Sequence, residues 1–204
     1  MPLYKHPYKG IYEDYISSWG NDEECEKYEK AITEWLDQCE DERDKKLFLT
    51  FLKNFKMLRG KIYQDLIIQL FDKFQSKYLN WKTNAIFVEP KKDEDSVGNS
   101  DIFFADFWRY TGIRKYATRN FLESPIDTSI NHIVLVDDYS GSGNTLIAFI
   151  NALLNKHPCV AEKRITILVL VCSHSAKIAL THFALSNELN IDIMCAETQQ
   201  KSFY

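Results

Sequence analysis

No stretch of this 204-residue chain is apolar for long enough to cross a bilayer, and the opening MPLYKHPYKGIYEDY lacks the apolar centre of a secretory leader. A soluble, cytoplasmic protein with no membrane partner is expected. Cysteine is sparse and unpatterned: five residues, at 25, 39, 159, 172 and 195, an odd number with no C-x-x-C. That excludes a zinc ribbon or a disulfide framework and fits reduced, buried thiols. The five histidines show no H-x-x-x-H spacing, so no metal-ligand set emerges from them. Basic charge is not in excess, with 25 Lys and Arg against 29 Asp and Glu and a net charge of −4. A generic nucleic-acid-binding field is therefore absent, and nucleic acid is expected only indirectly, through a complex. Internal repeats and low-complexity tracts are missing as well.

What is present is an ordinary globular composition, 45% apolar and 26% charged, in a length that suits one domain or one domain with an appendage. Over roughly the first 80 residues the periodicity is helical. A short helix is expected near Tyr12–Ser18, and Asn21 or Asp22 can cap a second with Tyr28, Ile32, Trp35 and Leu36 on one face. Asp37–Asp44 suits a solvated helix end. Leu47, Phe48, Phe51, Leu52, Phe55 and Leu58, then Ile62, Tyr63, Leu66, Ile67, Leu70, Phe71 and Phe74, trace two more amphipathic helices that meet at Gly60. Residues 1–82 are thus expected to form a helical extension.

From residue 83 the pattern alternates. Asn84–Pro90, Ile133–Val136, Arg164–Ser173 and Ile191–Cys195 are apolar runs of strand length, and the segments between them are helical. Residues 83–204 therefore predict an α/β domain with a parallel sheet. Ser173 or Ser175 can cap the helix after the third of these strands. His174 and Glu197 each fall just past a predicted strand end, where they either line a pocket or are simply solvated. Arg109, Arg114, Lys115 and Arg119 form a loose basic set, readable as an anion contact or as a solvated face.

The strand at Ile133–Val136 leads into Asp137-Asp138, then Tyr139-Ser140-Gly141-Ser142-Gly143-Asn144-Thr145, then a helical pattern from Leu146. Strand, acids, small-residue loop and helix start, in that order, suit a phosphorylated, hydroxyl-rich ligand. Glycines let backbone N–H groups converge on an oxyanion, and the helix dipole favours the same charge. Carboxylates repel phosphate, so the two acids suit sugar hydroxyls or a magnesium ion bridging sugar and phosphate. A Walker loop is excluded because no Lys follows Gly143, and a dinucleotide fingerprint because Leu146 stands where its third glycine belongs.

LVDDYSGSGNT resembles the ribose-phosphate-binding motif of type I phosphoribosyltransferases: two apolar residues, two acids, three variable positions, Thr/Ser-Gly, one variable position and Thr. The resemblance implies a parallel sheet of phosphoribosyltransferase type carrying an amino-terminal helical extension. It implies that Asp137 and Asp138 are the catalytic pair, holding the ribose 2′- and 3′-hydroxyls of phosphoribosyl pyrophosphate and, indirectly, Mg²⁺. Tyr139, Ser140, Gly141, Ser142, Gly143, Asn144 and Thr145 would then wrap ribose and 5′-phosphate. In such enzymes the loop after the first strand contacts pyrophosphate, which makes Lys91, Lys92, Ser96, Gly98, Asn99 and Ser100 candidates by position. Gly141 stands where some purine-salvage members carry a catalytic carboxylate. These enzymes usually continue with more sheet past the last strand found here, so a homo-oligomer or a protein partner is expected to complete the site, or residues 1–80 to cover it.

YSGSGNT and DSVGNSDIFF, with the helical preface, are also similar to phosphoribosyltransferase-like domains of bacterial conflict systems, some encoded beside retron reverse transcriptases. That similarity implies an antiphage-defence effector acting on a nucleotide or cofactor. Transfer or cleavage at ribose C1 is the leading expectation. A non-catalytic nucleotide-sensing module and a structural subunit of a defence complex are the alternatives.

Overall fold

The computed structural model describes residues 7–17, 22–54, 58, 60–91, 99–118, 121–123 and 125–199, the side chains at 22–24, 54, 99 and 100 apart. Two compact units divide at Gly60. The first contains α1 (Lys9–Ser17), α2 (Asp22–Gln38) and α3 (Glu42–Asn54). Four-residue spacing puts Tyr12 with Ile16 and Ile32 with Leu36, and these bury against Leu49 and Leu52. The Tyr12 hydroxyl, fully inside, meets Thr33 Oγ1 at 2.9 Å. Ion pairing of Lys9 with Glu29 and a bond from the Tyr8 hydroxyl to Glu42 close the rim. Trp35, expected on the buried face, is 59% exposed and stacks on Phe48.

The second unit opens with α4 (Gly60–Lys77) and α5 (Trp81–Asn84), then β1 (Ala85–Val88) and α6 (Asn99–Thr111). After β2 (Ala117–Thr118) come β3 (His132–Ser140), α7 (Asn144–Lys156), β4 (Arg164–Ser173), α8 (His174–Ser186) and β5 (Ile191–Gln199). All five strands are parallel, in the order β2-β1-β3-β4-β5. The expected parallel α/β sheet is therefore present. β2 escaped the sequence because two residues carry no periodicity. The helical stretch expected as a single extension over residues 1–82 is divided, with α4 packed on the sheet: Phe74 lies 5.3 Å from Phe87 of β1 and Phe71 lies 5.9 Å from Phe107 of α6.

Strand alternation separates the two faces. Val88, Ile133, Leu135, Ile165, Ile167 and Val169 pack beneath Leu146, Phe149 and Ile150 of α7 and Leu180 of α8. Phe87 points the other way, into the aromatic layer of α4 and α6. Helices on both faces explain why β3 and β4 are nearly continuous apolar runs. Among the described residues, no helix is long and apolar enough to cross a membrane.

His132 begins β3 at the amino-terminal edge of the sheet, buried, with Nε2 2.8 Å from Thr166 Oγ1 and its ring 4.7 Å from that of Tyr78. Burial first, and then the charge of Arg164, push its pKa down to about 4. The unfolded chain takes up a proton near pH 6.5 that the folded chain refuses until about pH 4. Folding stability from this group is thus intact above pH 6.5 and falls by up to ~3 kcal/mol as the pH drops to 4. His132→Gln, which keeps a partner for Thr166, is expected to flatten that part of the curve in denaturant titrations between these pH values. An unchanged slope would show that His132 titrates normally.

Candidate functional site

β1 stops at Val88, opposite Leu135, while β3 runs on to Ser140 beside β4. Successive connections leave in opposite directions between β1 and β3, and this divergence opens a crevice at the carboxyl edge, where open α/β sheets bind ligands. An open cavity of about 300 Å³ lies there, lined by residues 137–143 and Thr145. That size is at the lower end for small-molecule sites. The motif read as strand-then-loop is folded differently in detail: the acids, Tyr139 and Ser140 all belong to β3, and the helix begins at Asn144 rather than Leu146.

Asp137 faces inward and is 8% exposed, whereas Asp138 is half-buried and Tyr139 turns outward. The Asp138 N–H donates to Asp137 Oδ1 at 3.0 Å, and the Tyr139 N–H donates to Asp138 Oδ1 at 2.8 Å. Each carboxylate is thereby aimed by the next peptide, with lone pairs left for a ligand. Burial and then the neighbouring Asp138 push the Asp137 pKa up to about 7, and Glu89 adds to the effect. Glu89 follows β1 and is itself 1% exposed. Nothing beside it in the sequence marks it, because only the β1–β3 register brings it near Asp137. Tyr63 of α4 is a second omission. It hydrogen-bonds Asp106, and burial first, then the charges of Asp106 and more weakly Asp138, hold its hydroxyl above the ordinary phenol range.

The loop turns at Gly143, whose φ of 81° caps α7. A Cβ there would come within 3.2 Å of Leu180 Cγ and 3.3 Å of the Ala176 carbonyl oxygen, so α8 packs directly beneath it. The first turn of α7 directs its unshared N–H groups and positive dipole end toward this loop. Asn144, although in the motif, is the first residue of α7 and does not line the cavity.

Lys91 does not line the cavity. It pairs with Asp101 of α6 at 2.9 Å, both side chains largely covered. Lys92, Ser96 and Gly98 lie outside the described residues, and Asn99 and Ser100 open α6. The basic set does not converge. Arg109 bonds Asp106 at 2.8 Å and Tyr110 at 2.7 Å, Lys115 lies over the Tyr116 ring, and Arg114 is exposed; Arg119 lies outside the described residues. His174 is the exposed first residue of α8, and Glu197 sits within β5 opposite Val171 rather than past a strand end. The last strand runs four residues further than predicted because its polar end still pairs with β4.

Among the described residues, no cluster of three or more His, Cys, Asp or Glu could enclose a metal. Magnesium does not require such a cage: it keeps several waters and binds through one or two carboxylates together with substrate phosphates. The adjacent Asp137 and Asp138, both lining the cavity, are a donor set that fits this mode.

The model of the PRTase-CE family matches residues 32–204. The chain belongs to the PRTase-CE family. This PRTase-CE protein is thus phosphoribosyltransferase-like, as its motif implies. Among solved structures it is similar to the xanthine-guanine-hypoxanthine phosphoribosyltransferase of Helicobacter pylori, with 16% identity over 70% of this chain and 82% of that one and a TM-score of 0.43. It is similar to orotate phosphoribosyltransferase from Aeropyrum pernix, with 12% identity over 68% and 69% and a TM-score of 0.41. A third is hypoxanthine-guanine phosphoribosyltransferase from Schistosoma mansoni, solved with IMP, with 10% identity over 74% and 71% and a TM-score of 0.45. No curated protein matches the sequence.

Proposed function

We propose that this PRTase-CE protein binds phosphoribosyl pyrophosphate, or a nucleotide sharing its ribose 5-phosphate, together with Mg²⁺, and transfers or cleaves at ribose C1. The observation that carries this is the meeting of Asp137, Asp138, residues 141–143 and Thr145 around one cavity at the sheet's switch point. Asp138 accepts a ribose hydroxyl. Asp137, whose carboxyl is held toward its neutral form by burial and by Asp138, meets the other. The loop amides and the α7 amino-terminus take the 5′-phosphate. Asp137 and Asp138 would hold Mg²⁺ together with the ligand's own phosphates, and when bound it would neutralise charge on the leaving pyrophosphate. As the C1–O bond of phosphoribosyl pyrophosphate breaks, the electron pair leaves with pyrophosphate, the ribose ring becomes oxocarbenium-like, and an acceptor nitrogen or a water oxygen bonds C1 and gives up its proton. The two carboxylates, one buried and one half-buried, stand near that developing positive charge, and positioning with electrostatics accounts for the acceleration.

The similarity of YSGSGNT and DSVGNSDIFF to conflict-system domains supports a place for this activity in antiphage defence, within a complex whose partner completes the site. A second class of function, ligand sensing without chemistry, is favoured by one feature. Position 141 is a glycine, with the exposed Tyr139 ring 3.1 Å from where a Cβ would stand. No carboxylate can act from there.

Calorimetric titration of phosphoribosyl pyrophosphate with Mg²⁺ tests the proposal. Saturable binding by the wild type is expected, abolished in Asp137→Asn/Asp138→Asn. Equal heats from both proteins would remove the assignment, and release of pyrophosphate would separate catalysis from sensing.

A further inference from the structure

The β4–α8 junction meets the loop at the carbonyl of Gly141. The Ser173 hydroxyl donates to that oxygen, and the Ser175 hydroxyl lies 3.2 Å from it and 2.9 Å from Ser173 Oγ. Ser173 also caps α8, accepting from the Ala176 N–H at 3.0 Å, so its oxygen is fixed in place by the helix it begins. The two serines lie under the loop; neither lines the cavity, whereas Gly141 and Ser142 do.

In a trans peptide the carbonyl and the following N–H point in opposite directions, and the described backbone holds no cis bond. Anchoring the Gly141 oxygen against α8 therefore turns the Ser142 N–H to the opposite side of that peptide, away from the two serines. Two residues on, Gly143 is pressed against Ala176 and Leu180 of the same helix. Both ends of the Gly-Ser-Gly turn thus rest on the first turns of α8. Released from that bed, the small-residue turn is free to flip its peptide and present a carbonyl, which repels an anion. We propose that Ser173 and Ser175 are positioning residues that hold the Gly141–Ser142 peptide with its N–H directed at the ligand's phosphate. The proposal rests on the cavity taking a phosphorylated ligand, and it assigns the phosphate site a component from outside the motif, 32 residues downstream of Gly141.

Ribose 5-phosphate, titrated into ¹⁵N-labelled protein, is a suitable probe. In the wild type the Ser142 amide resonance is expected to move downfield on saturation, as an N–H taken by a phosphate oxygen does. Ser175→Ala is expected to weaken ribose 5-phosphate binding roughly fivefold, and Ser173→Ala/Ser175→Ala tenfold or more, with the Ser142 shift reduced. Ser175→Thr, which keeps the hydroxyl, is expected to restore both. Hydrogen exchange in β4 and α8 shows whether each variant keeps its fold. Should the Ser173 variant fail to fold, the comparison of Ser175→Ala with Ser175→Thr decides alone. Wild-type affinity and an unchanged Ser142 shift in Ser175→Ala would overturn the positioning role while leaving the phosphate site intact. A wild type that does not bind ribose 5-phosphate would overturn the phosphate site, and this role with it.

Discussion

Asp137→Asn is expected to make the protein more stable and less able to hold its ligand. The carboxyl group is 8% exposed, beside Asp138 and near Glu89, and its pKa stands at about 7 against an ordinary 3.8. A pKa raised by folding contributes stability that is complete below the unfolded value and is lost as the pH climbs through the folded one. At pH 8 the wild type must ionise a buried group among like charges, and removing that charge is expected to return on the order of 2–4 kcal/mol. For a chain of this size that raises the thermal midpoint by roughly 5–10 °C. Below pH 4 the two proteins should unfold alike, since both are then neutral at this position. Thermal unfolding followed from pH 4 to pH 9 checks the divergence, and parallel curves throughout would show that Asp137 ionises without strain. The same substitution removes a charged partner for a ribose hydroxyl and is expected to weaken phosphoribosyl pyrophosphate binding roughly 10–100-fold. Such a trade is the mark of a group kept for its ligand rather than for the fold.

The two loop glycines should behave very differently when replaced. Gly143→Ala puts a side chain at a φ of 81°, 3.2 Å from the buried Leu180 Cγ and 3.3 Å from a backbone oxygen of α8. The left-handed conformation alone costs ~1 kcal/mol, and the helix must also give way, so a destabilisation of about 2–3 kcal/mol is expected. Because the movement falls on the α8 turn that carries Ser175 and Ala176, ligand affinity should fall at least tenfold as well, by calorimetry. Gly141→Ala meets only the Tyr139 ring, which is 55% exposed and can swing into solvent. Its effect on stability is expected to stay within about 0.5 kcal/mol. Comparable losses from both substitutions in denaturant titrations would remove the distinction between a packed and an open side of the loop.

How much of this was legible in the sequence depended on range. Helix periodicity found α2, α3 and α4, and the apolar runs found β1, β3, β4 and β5, because each signal is local and repeated. LVDDYSGSGNT marked the candidate site because its residues from Asp137 to Thr145, Asn144 apart, line one cavity. β2 is too short to carry a pattern, and β5 was cut early because Glu197, Thr198 and Gln199 look like a loop until β4 is seen alongside them. Glu89 goes unmarked, and Tyr63 and Ser175 are legible only as a helix-face residue and a candidate cap, for a different reason. Each reaches the site through register or helix packing across many residues, and nothing in their immediate neighbours signals it. Lys91 shows the converse: a cation in a plausible place whose charge is taken by Asp101.

The anchoring of Gly141 by Ser173 and Ser175 gives the site an order of assembly. The motif leaves the ribosome 32 residues ahead of the hydroxyl that holds it, a delay of about 2–6 s at ordinary rates of synthesis. A nascent chain ending between them displays every residue of the motif on a loop with no floor. Under the proposed function, a ligand would lend its binding energy mainly to a chain that has already docked α8, and the small molecule would act as a test of completed folding rather than as a template for it.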